Sequence, residues 1–69
     1  NAVTACNVIE GTPYGCVDSG ATGLDFPFGI TLNSAGTTAY ITNGGAANAV
    51  TTCDVSGMAF SNCVAYNGL

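Results

Sequence analysis

The chain has 69 residues with four acidic side chains, no Lys, no Arg and no His, and only 6% of its residues are charged. Without cationic groups it cannot displace the counterions of a nucleic acid or dock on anionic lipid. His and Lys, the usual proton-transfer groups near neutral pH, are missing too, so a non-catalytic protein is expected.

Helix signals are weak. β-Branched and aromatic residues recur in short clusters bounded by Gly, Asn or Ser, which reads as an all-β chain. Six strands are expected. The first covers residues 2–8 and is followed by a turn through Glu10-Gly11-Thr12-Pro13. The second covers 15–19 and the third 28–33, with a Ser34-Ala35-Gly36 turn leading to the fourth at 37–43. The fifth covers 48–55 and turns at Ser56-Gly57 into the sixth at 61–66. Short connections favour antiparallel neighbours. In the third strand the period of two puts Phe28, Ile30 and Leu32 on one face. Tyr40 is expected beside them across the turn, with Ala39 and Ile41 opposite. Both faces then carry apolar groups, as in a sheet stacked on both sides.

A chain this short forms a thin core and usually needs staples or partners. Cys6, Cys16, Cys53 and Cys63 supply the staples. Three pairings are open, but each of the pairs Cys6/Cys16 and Cys53/Cys63 is separated by ten positions and would close its own hairpin. Zinc ligands usually stand two to four residues apart, so disulfides are preferred over a metal site or free thiols. Disulfides point to an exported, extracellular or cell-surface protein. Residues 1–3 carry no basic leader segment and no apolar core segment follows; for an exported protein Asn1 is then expected to be either a mature start or only the first residue of the given stretch. No apolar run approaches the roughly 18 residues of a membrane-spanning helix.

The strongest signal is a repeat. Asn1-Ala2-Val3-Thr4-Ala5-Cys6-Asn7-Val8 matches Asn48-Ala49-Val50-Thr51-Thr52-Cys53-Asp54-Val55 at an offset of 47 residues (48 minus 1). Cys16-Val17 meets Cys63-Val64 at the same offset, and Gly23-Leu24 resembles Gly68-Leu69 once two residues are removed from the later copy. A period of this size with four strands is a propeller-blade signature. Residues 1–24 then form a half repeat, an outer β-hairpin, and residues 25–69 a complete four-stranded unit, the two making one structural unit.

The segment from Phe26-Pro27-Phe28-Gly29-Ile30 through Asn33-Ser34-Ala35-Gly36 to Tyr40-Ile41-Thr42-Asn43 resembles the inner half of a blade in the YVTN/NHL-like β-propeller repeats. The cysteine hairpin resembles the outer half in a cysteine-bearing variant. The resemblance implies a blade-like antiparallel sheet in an extracellular repeat protein. A closed propeller needs roughly four to eight blades, and no catalytic residue of that family's enzymes can be placed on this chain.

Ser19, Ser34, Ser56 and Ser61 have no base to activate them, and Glu10, Asp18, Asp25 and Asp54 read as turn and strand-edge groups. Asp18, Asp25 and the Asn side chains are hard oxygen ligands of the kind calcium takes, but no Asp-x-Asp-x-Asp spacing exists. No metal and no cofactor are expected. Asn43-Gly44-Gly45 lacks the Gly-Lys-Ser/Thr ending of a phosphate loop and reads as a turn. No Asn-x-Ser/Thr sequon occurs, while Thr37, Thr38, Thr51 and Thr52 are candidate O-glycosylation sites expected at the surface. The aromatics Tyr14, Tyr40, Tyr66, Phe26, Phe28 and Phe60 suit core packing better than a sugar-stacking platform.

One such sheet cannot bury two apolar faces alone, and its edges carry no Lys gatekeeper. The expected partners are copies of the chain itself, joined head-to-tail, by sheet stacking or by strand-edge pairing, in an extracellular filament or surface assembly. The alternative is a piece of a larger secreted propeller that binds a glycan or a protein.

Overall fold

The computed structural model describes residues 1–45 and 49–66. It is all-β, with six strands in chain order: β1 (Thr4–Ile9), β2 (Thr12–Asp18), β3 (Pro27–Leu32), β4 (Thr38–Asn43), β5 (Val50–Ser56) and β6 (Ala59–Tyr66). β1 and β2 form a two-stranded antiparallel sheet, and β3-β4-β5-β6 form a four-stranded antiparallel meander. Disulfides join Cys6 to Cys16 and Cys53 to Cys63, as the spacing predicts. The expected start of the fifth strand at Asn48, and Gly68-Leu69, lie outside the described residues.

The two cysteine hairpins are copies in register as well as in sequence. The pairs Thr4↔Asp18, Ala5↔Val17, Asn7↔Tyr14, Val8↔Pro13 and Ile9↔Thr12 recur as Thr51↔Ala65, Thr52↔Val64, Asp54↔Ser61, Val55↔Phe60 and Ser56↔Ala59. Each pair is moved by 47 positions, the sequence offset between Asn1 and Asn48. Both ladders slip at the same place, between Ala5 and Asn7 and between Thr52 and Asp54. There two residues of the returning strand oppose one cysteine. The first of the two takes a left-handed conformation, Gly15 with φ 60 and Asn62 with φ 50. Glycine adopts that region without a Cβ clash, and Asn is among the next most tolerant residues. A β-bulge with a left-handed first residue is thus built twice, each time beside a disulfide. In the second hairpin the Asn62 Nδ2 also donates to Asp54 Oδ2 at 3.0 Å.

The assignment of faces differs from expectation. Ile30 opposes Ile41, Leu32 opposes Ala39, and Tyr40 opposes Thr31. Directly opposed residues share a face, so Ala39 and Ile41 lie with Ile30 and Leu32, and Tyr40 lies on the other side. The reason is loop length. Asn33 N donates to Thr38 O at 3.0 Å, leaving four residues in the loop where three were expected. Asn33 Oδ1 fixes it by accepting from Thr37 N at 2.8 Å and Thr38 N at 3.0 Å. One extra loop residue reverses the side of every residue beyond it. The β3–β4 pairing also shifts between Pro27 and Gly29, which leaves Phe28 without a directly opposed residue on β4.

The buried face is completed by Thr51 and Cys53, which oppose Ile41 and Ala39. Ala39, Ile41, Thr51 and Cys53 have at most 1% of their surface exposed. Burying Ile41 alone contributes about 1.5–3 kcal/mol. The covering layer includes the link between the sheets. Ser19 O accepts from Phe60 N at 2.7 Å, and a Cβ on Gly23 would stand 3.7 Å from both Thr51 and Ala65. Among the described residues no helix is long and apolar enough to cross a membrane.

Candidate interaction surface

The polar groups brought together by the fold serve its junctions. Thr51 Oγ1 donates to Gly23 O at 2.6 Å and accepts from Asn43 Nδ2 at 3.0 Å, while Asn43 Oδ1 accepts from Asp25 N at 3.1 Å. This chain of bonds ties the link to β4 and β5. Every buried side-chain polar atom among the described residues has a partner, so the chain adds rigidity without an unpaired group. Sequence reasoning missed it. Gly44 N and Gly45 N donate to Phe26 O and Asp25 O at 2.8 and 3.0 Å, which commits to the link the amides of the supposed phosphate loop.

The four carboxylates lie on separate parts of the chain. Glu10 is in the β1–β2 turn, Asp18 ends β2, Asp25 is in the link and Asp54 is on β5. Asp18 Oδ1 accepts from Gly20 N at 2.9 Å, so it works as a local turn cap. Among the described residues no group of three or more His, Cys, Asp or Glu side chains could hold a metal ion. Ser19, weighed as a nucleophile, is buried, and its Oγ accepts from Ala21 N at 3.3 Å.

Two expectations about side chains need correction. Thr51 was expected at the surface as a glycosylation candidate, but it is fully buried and hydrogen-bonded. Of the other candidates, Thr37 is exposed and Thr38 and Thr52 are half-buried. The aromatics do not make the core. Phe26, Phe28, Tyr14, Tyr40 and Tyr66 are all exposed, and Phe60 is half-buried. The small core is built instead from Ala39, Ile41, Thr51 and Cys53.

What remains is an apolar surface. Phe26 and Phe28 are 71% and 76% exposed, and Ile30 and Leu32 about half exposed. Val8, Ile9, Tyr14 and Val17 are exposed on the first hairpin, and Val64 and Tyr66 on the last strand. A cleft of about 510 Å³ runs between the two sheets, lined by Val3, Thr4, Ala5 and Cys6 on one side and Ile30, Leu32, Val55 and Phe60 on the other. A shallower one of about 270 Å³ adjoins it at Ala2, Pro27 and Phe28. The exposed Phe, Tyr, Ile, Leu and Val side chains are the largest exposed apolar groups among the described residues. No known family model matches the chain, and comparisons with curated proteins and with solved structures give no significant match.

Proposed function

We propose that the chain is a non-catalytic, exported structural β-repeat module that associates with copies of itself in an extracellular filament or surface assembly. The observation that carries this reading is the run from Phe26 to Leu32, where Phe26, Phe28, Ile30 and Leu32 each leave half or more of their surface open. Water-exposed apolar area favours association at roughly 25 cal/mol per Å² removed from solvent. With a net charge of −4 and no basic residue, the chain offers no counter-charge to an acidic partner, while like apolar surfaces can still meet. The two disulfides in so small a fold support an oxidising location. The lack of His, Lys and Arg supports a role without proton-transfer chemistry.

The test is light scattering of the oxidised chain across concentration. Particles of many times 6.8 kDa are expected; a monodisperse monomer at tens of micromolar would reject the structural role. A second reading is supported by the equal registers of the two hairpins, which suit one stretch of a larger secreted, YVTN-like propeller that binds a glycan or a protein. Intact-mass measurement of the native chain separates the two, since that reading requires further 47-residue repeats in the same polypeptide.

A further inference from the structure

We propose that the outer edge of β1 receives β6 from a second copy of this chain, antiparallel, and that the added strand closes the cleft over Ile30 and Leu32. This rests on the self-association proposed above and names its joint.

The edge is defined by the internal repeat. In the second hairpin the corresponding edge of β5 carries β4, from Thr38↔Asp54 to Thr42↔Val50. Shifted back by 47 positions, that edge is residues 3–7, and among the described residues β1 pairs with β2 alone. Val55 N donates to Thr37 O at 2.8 Å, and Ala49 O accepts from Asn43 N at 3.0 Å. Alternate residues of β5 therefore turn their backbone groups toward β4. Their counterparts on β1 are Ala2, Thr4, Cys6 and Val8. The bulge does not spoil this edge, since β5 carries the same bulge on its β6 side and still pairs regularly with β4. Open strand edges pair with other chains unless charge, proline or a cover blocks them; residues 2–8 hold neither charge nor proline.

The space beside the edge is also defined. The 510 Å³ cleft is lined by Val3 and Cys6 at the edge and by Ile30 and Leu32 beneath it. A strand added to β1 lies over those two half-exposed side chains.

The occupant follows from the faces. Val3, Ala5 and Cys6 are half-buried, Thr4 and Val8 are exposed, and Val3, Thr4, Ala5 and Cys6 all line the cleft; of the two alternating sets, Val3 and Ala5 make the more covered one. The repeat counterparts of Val3, Ala5 and Val17 are Val50, Thr52 and Val64, which share a face with Tyr66. That face is the one built to lie on such a sheet. β1 has the direction of β5, to which β6 is antiparallel, so β6 set beside β1 without turning over is antiparallel and keeps this face toward the cleft. Val64 and Tyr66 then meet Ile30 and Leu32. β6 itself carries no charge and ends the four-stranded sheet; its outer edge is held by the link at Phe60, whose N donates to Ser19 O, so the stretch from Asn62 to Tyr66 is the part offered to β1. Joining the β1 edge of one copy to the β6 edge of the next is a heterologous contact, which propagates as an open filament unless its rotation closes a ring.

The test measures association of the full, oxidised chain by sedimentation velocity for the wild type, Thr4→Pro, Val64→Asp and Ser34→Asp. Thr4→Pro removes an outward N–H while leaving the β1–β2 bonds in place. Both Thr4→Pro and Val64→Asp should weaken association about tenfold or more, and Ser34→Asp, a charge placed in the β3–β4 loop, should not. Amide exchange at Thr4 and Val8 should slow as wild-type concentration rises. A wild type that stays monomeric overturns both the joint and the self-association reading, as does a monomer whose cleft simply takes up an apolar dye. Association that survives both edge variants overturns the joint and leaves self-association standing. Loss on Val64→Asp alone makes the contact face-on and overturns strand pairing. An equal loss on Ser34→Asp assigns the effect to net charge and overturns it too. If Thr4→Pro fails to form both disulfides, Val64→Asp and the wild-type amide protection at Thr4 and Val8 decide.

Discussion

The two cysteine hairpins share spacing, register, bulge and bridge, yet they live in different surroundings. In the second, Thr51 and Cys53 are sealed between β4 and β6 and beneath the link. In the first, the counterparts Thr4 and Cys6 stand at a sheet edge, Thr4 exposed and Cys6 half-buried, and Cys16 is exposed. Local sequence therefore sets the shape of the hairpin, and neighbours set how much each of its residues is worth. In the first hairpin, which has two strands and little core, the bridge acts almost alone, and an isolated hairpin is marginal in water; in the second it acts together with burial.

That contrast can be broken or sharpened by matched substitutions, read as unfolding free energy in denaturant titrations of dilute protein. Replacing both Cys53 and Cys63 by Ala should have the largest effect, about 3–5 kcal/mol, since it frees a loop and also opens a gap at a sealed position. The same change at Cys6 and Cys16 should cost about 2–3 kcal/mol, because loop length is equal and packing is not. Equal losses would mean that burial around Cys53 adds nothing. Next comes Thr51→Val, which strands Asn43 Nδ2 and the Gly23 carbonyl and should cost about 1–3 kcal/mol. Its counterpart Thr4→Val should stay within about 0.5 kcal/mol of wild type. The smallest effects test likeness instead of difference. Gly15→Ala and Asn62→Ala each place an ordinary residue at a left-handed bulge position and should each cost about 1 kcal/mol. A large inequality there would show that the two bulges are not equivalent.

Strand number, order and disulfide pairing were legible because they rest on local patterns: β-branched clusters, turn residues and equal cysteine spacings. The 47-residue offset marked the repeat of the Cys-containing segments and gave no sign of the bulge that each carries. Facing was not legible across the β3–β4 connection. It depends on whether Thr37 counts as loop or strand, and the hydrogen bonds that Thr37 N and Thr38 N donate to a single Asn33 side chain decide that. The Gly23–Thr51–Asn43–Asp25 bonds were hidden for a related reason, since they join positions up to 28 residues apart. A small hint existed: Thr51 and Thr4 occupy matching places, and a threonine kept in both a sealed and an open strand fits β-sheet geometry first and bonding second. The aromatics misled because size suggested burial, whereas the buried row on β4 and β5 is filled by Ala39, Ile41, Thr51 and Cys53.

The left-handed residue beside each bridge has a consequence for how such a chain can grow. Turn, kink and crosslink recur with one common phase. Duplicating or excising any window of one full period would return each of them to its proper place, wherever the cut fell. Boundaries between modules are then a convention of counting, and length can vary in whole steps without any new pairing having to be invented.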